Sequence, residues 1–100
     1  MTVTSTKQPG AAVVVDLERE TVITGRVVDD AGQSVGGASV RLLDDDQEFA
    51  AELIASATGD FRFFAAPGTW TVRALSPAGR GDVTVAPSGA GVHEVDVKVA

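Results

Sequence analysis

His93 is the only histidine, and there is no cysteine. No thiol exists to serve as nucleophile, zinc ligand or disulfide partner. To act as a general base, His93 would have to converge with a serine or a carboxylate. Ser34, Ser39, Ser56, Ser76 and Ser88 sit in turn-like or short β-like stretches, and none lies in a nucleophile-elbow sequence. His93 continues the inward phase of Val95 and Val97, which reads as a structural histidine at a strand start.

The run Asp44-Asp45-Asp46-Gln47-Glu48 offers oxygen ligands of the kind a hard cation takes. The EF-hand spacing fails, because Phe49 stands where the loop glycine belongs and Ala55 where the bidentate acid belongs. The run reads as a solvated acidic turn, and Asp29-Asp30 as a turn whose side chains bond local N–H groups. Arg80-Gly81-Asp82 spells an adhesion tripeptide, but a three-residue match is weak, and Gly79 and Gly81 read as turn glycines. Arg26, Arg41, Arg62 and Arg73 all fall on the outward phase of β-like runs. They offer an anion-binding face, or, more simply, cross-strand pairs with outward Glu52, Glu94 and Asp96. No catalytic, cofactor-binding or metal-ligating residue is assigned on these grounds.

The elements that would position these groups are short. Breaks rich in Gly, Pro and Asp recur from Asp29 to Gly91, and β-branched runs lie between them. Ile23, Gly25 and Val27 share one phase; so do Ala38, Val40 and Leu42, then Phe61 and Phe63, then Trp70, Val72 and Ala74. Val83 and Val85, and later Val95, Val97 and Val99, complete the inward set. Side chains alternate across a strand, so each run has a core face and a wet face. Phe49 to Ala55 alternates less cleanly and is read as a strand. The expectation is an all-β, seven-stranded antiparallel Greek-key sandwich with Phe61, Phe63 and Trp70 buried between the sheets. Residues 1–18 are polar up to Pro9-Gly10 and read as a flexible arm, with Val13-Val14-Val15 as an optional edge strand; the domain spans 19–100.

One hundred residues make one domain, long enough to bury a core without disulfides or metals. Fourteen acidic against eight basic residues give a net charge of −6. That balance disfavours nucleic acid or an anionic membrane as partner, since both require a basic footprint. No apolar run is long enough for a membrane span or a signal-peptide core. The expected location is the cytoplasm.

The run Ile23-Thr24-Gly25-Arg26-Val27-Val28-Asp29, then Gly37-Ala38-Ser39-Val40-Arg41-Leu42, Thr58-Gly59-Asp60-Phe61-Arg62-Phe63 and Pro67-Gly68-Thr69-Trp70-Thr71-Val72, resembles the carboxypeptidase regulatory-like domain over about residues 20–99. That resemblance implies a seven-stranded prealbumin-like sandwich of immunoglobulin-like architecture. It also implies that Pro67-Gly68 carries the chain between sheets. A closer likeness is to the small actinobacterial family DUF1416, through Phe61-Arg62-Phe63-Phe64-Ala65-Ala66-Pro67-Gly68, Trp70-Thr71-Val72-Arg73-Ala74-Leu75 and Gly91-Val92-His93-Glu94-Val95-Asp96-Val97-Lys98. That family's members tend to be encoded beside thiosulfate sulfurtransferases, which implies an association with sulfur metabolism by neighbourhood. It supplies no catalytic residue to carry over.

Two functions follow as expectations. The first is a non-catalytic accessory or protein-interaction module, with a sulfurtransferase or another cytosolic protein as partner. The alternative is a small-molecule binder or minor enzyme with its site at a sandwich end or dimer interface. Strict alternation puts Phe64 on the wet face, and Val22 also points outward. A lone outward aromatic reads most simply as a surface residue or one tucked under the neighbouring turn; the sharper reading makes Phe64 and Val22 candidate partner contacts, because exposed aromatics often anchor interfaces.

Overall fold

The computed structural model describes residues 21–100. The arm expected over 1–18 and the optional strand at Val13–Val15 lie outside the described residues. Seven strands follow one another: β1 (Thr21–Val28), β2 (Ser39–Leu43), β3 (Phe49–Ile54), β4 (Asp60–Phe64), β5 (Trp70–Ser76), β6 (Gly79–Val85) and β7 (Gly91–Lys98). They form a three-stranded sheet in the order β4-β1-β7 and a four-stranded sheet in the order β3-β2-β5-β6. The sandwich read from the alternation is the observed architecture, and Phe49–Ile54 is a strand as expected.

One pair departs from the all-antiparallel expectation, because β1 and β7 run parallel. The other pairs, β1–β4, β2–β3, β2–β5 and β5–β6, are antiparallel. The pairing directions fit a chain that reverses at every connection. After an even number of reversals the seventh strand runs the same way as the first. As neighbours, the two must then pair in parallel.

The inward phase builds the core. Ile23, Val27, Val40, Leu42, Phe63 and Val97 are fully buried, and Phe61 lies beside Phe63 with ring centroids 6.1 Å apart and planes tilted by 49°. Trp70 differs from the expectation. It packs on the core but is only half-buried, because it opens β5 at the rim and its indole N–H donates to the Ala66 carbonyl at 2.8 Å. The segment between β4 and β5, with Pro67 and Gly68, crosses from one sheet to the other.

Gly25 explains how β1 holds the centre of the three-stranded sheet. A Cβ there would run into the backbone carbonyl of Val95 on β7 and come within 2.9 Å of the Phe61 ring. The absent side chain lets β7 and the Phe61 ring close over the same point of β1.

The two sides of the sandwich close differently. On the β6/β7 side, the Ala100 N–H donates to the Arg80 carbonyl, and Gly81 lies against the Lys98 carbonyl. On the β3/β4 side, a groove of about 320 Å³ opens between the sheets, lined by Thr24, Leu53, Ile54, Ser56, Asp60, Phe61 and Arg62.

Candidate functional site

The outer face of the four-stranded sheet carries a group of charged side chains. Register sets it. Glu52, Arg41, Arg73 and Asp82 form one row across β3, β2, β5 and β6. The next row is Ile54, Ser39, Leu75 and Arg80. Arg41 Nε donates to Glu52 Oε2 at 2.8 Å, and the Ser39 hydroxyl donates to the same oxygen at 2.8 Å. Those bonds, the arginine's first, hold the Glu52 carboxyl below its ordinary pKa. Arg73 Nη2 meets Asp82 Oδ2 at 3.3 Å. Arg41, Arg73, Leu75, Arg80, Gly81 and Asp82 line an open concavity of about 560 Å³.

The four outward arginines do not stand on one face, so the anion-binding face offered as the alternative to ion pairing is not built from all of them. Arg41 and Arg73 stand on the four-stranded sheet, whereas Arg26 and Arg62 stand on the three-stranded sheet. The cross-strand pairing account holds for Arg41 with Glu52, and Arg73 pairs with Asp82. Arg26 instead meets Asp60 at 3.5 Å. Asp60 also accepts from the Thr58 and Ser56 hydroxyls, and the Thr58 bond is the main reason its carboxyl lies below its ordinary pKa.

Arg80 is the member of the concavity that sequence reasoning missed. Gly79 and Gly81 were read as turn glycines, but both belong to β6 rather than to the turn: Gly79 opens the strand, with φ of 135°, and Gly81 lies inside it. The signal was present: Arg80 shares the outward phase of Asp82 and Thr84. The adhesion-like tripeptide is thus part of a strand, with its arginine and aspartate on the outer face.

The candidate partner contacts need one correction. Val22 is opposite Phe64 on β4 and Val92 on β7, so the three form a row across the outer face of the three-stranded sheet. Val22 is nevertheless only 3% exposed, which corrects the expectation that it faces water. It occupies the central strand of that sheet, with neighbours on both sides. Phe64 is half-buried, and Val92 is 47% exposed. The larger exposed apolar side chains are elsewhere: Phe49 at 63% and Ile54 at 66%, both on β3. Alternation signalled Ile54 weakly, because β3 carries an irregularity opposite Leu42 and Leu43 that disturbs its phase.

His93 is half-buried, with Nε2 3.0 Å from the Gly89 carbonyl. The same carbonyl accepts from the Thr21 hydroxyl at 3.0 Å. In the acidic turn, Asp44 Oδ1 accepts from the Asp46 and Glu48 N–H groups at 3.0 and 2.9 Å, and Gln47 adopts φ of 64°. Carboxylate oxygens of Asp44, Asp46 and Glu48 lie within 4.8 Å of one another. Asp29 Oδ1 likewise accepts from the Ala31 and Gln33 N–H groups. Both acidic turns thus bond their own backbone, as read from the sequence. No helix among the described residues is long and apolar enough to cross a membrane.

Comparison with known proteins agrees with the fold. A DUF3823 family protein from Parabacteroides merdae superposes with a TM-score of 0.65 at 20% identity, over 82% of this chain and 46% of that one. This chain therefore spans under half of that protein. The 5-hydroxyisourate hydrolase of Klebsiella pneumoniae superposes with a TM-score of 0.59 at 20% identity, over 80% of this chain and 84% of that one. These likenesses concern the prealbumin-like sandwich alone. In sequence, the chain is 81% identical over 86 residues to an uncharacterized protein of Mycolicibacterium smegmatis, covering 86% of this chain and 96% of that protein. It is 76% identical over 85 residues to an uncharacterized protein of Mycobacterium tuberculosis, covering 85% of each. The model of DUF1416, a protein family of unknown function, matches residues 4–99, and the chain belongs to that family.

Proposed function

We propose that the protein is a non-catalytic interaction module of the cytoplasm that recruits a partner protein along the edge strand β3. The carrying observation is where its apolar surface lies. Phe49 and Ile54, the most exposed large apolar residues among those described, both stand on one terminal strand of the four-stranded sheet. A terminal strand presents unpaired N–H and C=O groups along its outer side. An extended segment of a partner would hydrogen-bond to that side, with Phe49 and Ile54 supplying apolar contact. The neighbouring groove on the β3/β4 side, which Ile54 and Leu53 line, gives room for alternate side chains of the added strand. The carboxypeptidase regulatory-like resemblance of residues 20–99 is consistent with an accessory role.

The partner proposed is a thiosulfate sulfurtransferase, and that choice rests on the gene neighbourhood implied by the family resemblance. The test titrates isotopically labelled protein with the purified sulfurtransferase and follows amide hydrogen exchange. Exchange should slow at residues 49–54, and Ile54→Glu should abolish complex formation while the thermal midpoint stays in place. Binding that survives Ile54→Glu, or protection confined to other strands, overturns the docking mode. Absence of any complex overturns the choice of partner.

A further inference from the structure

We infer that the concavity on the outer face of the four-stranded sheet is a binding site for a small, doubly charged oxyanion of the phosphate and sulfate class, held by Arg41, Arg73 and Arg80. The first ground is register. Arg41 and Arg73 are direct cross-strand partners, and like charges directly opposite one another destabilise a sheet. The carboxylates of that row, Glu52 and Asp82, stand only at its two ends. The adjacent row adds a third guanidinium, Arg80, and no carboxylate among the described residues lies within ion-pair distance of it. Three of the cations of a chain with net charge −6 are thereby gathered around one concavity.

The second ground is donor capacity. A guanidinium carries about five N–H donors in a planar fork suited to two oxygens at once. Arg41 engages Glu52 through Nε, and Arg73 engages Asp82 through one Nη at 3.3 Å. The remaining donors of both, and those of Arg80, have no carboxylate partner among the described residues. A tetrahedral dianion placed between them offers acceptors to all three side chains and neutralises the repulsion between Arg41 and Arg73. The strands hold the three Cα positions, so little backbone ordering is left to complete on binding. Leu75 is the apolar side chain among the lining residues, which suits an ester carrying a carbon group as well as the free ion.

Asp82 also lines the concavity, and it competes with the ligand for Arg73. That arrangement separates a binding site from a merely structural charge row. Asp82→Asn should tighten anion binding, whereas Arg80→Gln should weaken it, although both remove one exposed charge from the same strand. The inference does not rest on docking at β3, because the titration contains no partner protein.

The experiment is a nitrogen-15 amide-shift titration with inorganic phosphate, inorganic sulfate and phenyl phosphate at low ionic strength, with sodium chloride as the control for screening. Saturable shifts are expected at the amides of residues 39–43, 71–75 and 79–83, with a dissociation constant of about 1 mM or tighter, which corresponds to about −4 kcal/mol. Arg80→Gln should weaken the affinity about tenfold, and Asp82→Asn should strengthen it severalfold. Arg62→Gln, on the opposite sheet, should leave it unchanged. Shifts that fail to saturate, that sodium chloride reproduces, or that respond equally to Arg62→Gln and Arg80→Gln overturn the inference.

Discussion

Replacing Gly25 with alanine tests the packing of the three-stranded sheet, because two opposing effects meet at that residue. Alanine restricts the unfolded chain, and at a site whose backbone accepts it this change stabilises a protein by about 0.4–1 kcal/mol. Gly25 is not among the positive-φ residues, so its backbone conformation does not itself exclude alanine. The steric effect has the other sign. The new Cβ would overlap the Val95 carbonyl and sit 2.9 Å from a Phe61 ring carbon. Overpacking of a well-packed interior costs about 1–3 kcal/mol. Here the first obstacle is backbone on the paired strand β7, which moves only if the β1–β7 pairing opens, so the upper part of that range applies. The net loss is then about 1.5 kcal/mol, and a domain of this size loses about 4–8 °C in Tm per kcal/mol, or about 6–12 °C in all. Gly89→Ala is the matched control. No atom lies within 4 Å of its added Cβ, and its φ is not positive, so only the stabilising effect remains. Calorimetry of the two variants should therefore give Tm changes of opposite sign. If Gly25→Ala is neutral or stabilising, the close approach of β7 and Phe61 to β1 has been misjudged.

Phe64→Ser should lower Tm and leave complex formation through β3 intact, since Phe64 is half-buried beside Val22; loss of partner binding at an unchanged Tm would restore Phe64 as the contact. Glu52 and Asp60 have folded-state pKa values below their unfolded ones, so the stability they contribute is present above the unfolded values and lost as pH falls through the folded ones. Carboxyl NMR of Thr58→Ala should show the Asp60 pKa rising toward its ordinary value, because the Thr58 hydroxyl bond is the main cause of its lowering; an unchanged Asp60 titration would contradict that assignment.

Much of the fold was legible because burial has period two in a strand, and a chain of short alternating runs leaves few ways to close a core. The inward phase of Ile23, Val27, Val40, Leu42, Phe61, Phe63 and Val97 was readable without knowing which strands were neighbours, because each strand declares its own buried face. The self-bonded turns at Asp29 and Asp44 were equally local, since their partners lie within a few residues. Everything that depended on lateral position waited for the tertiary structure. Alternation says that a side chain points outward, but not onto which sheet, so Arg26 and Arg62 could not be separated from Arg41 and Arg73. It says nothing of strand order, which left β3 as an edge and gave Phe49 and Ile54 their exposure, while Val22 on a central strand was buried. Nor does it contain register between distant strands, the quantity that sets Arg41 opposite Arg73 and brings Arg80 beside them. Outward phase is written in the order of residues along one strand, whereas a binding surface is made across several, and hydrogen bonding between strands decides what meets there.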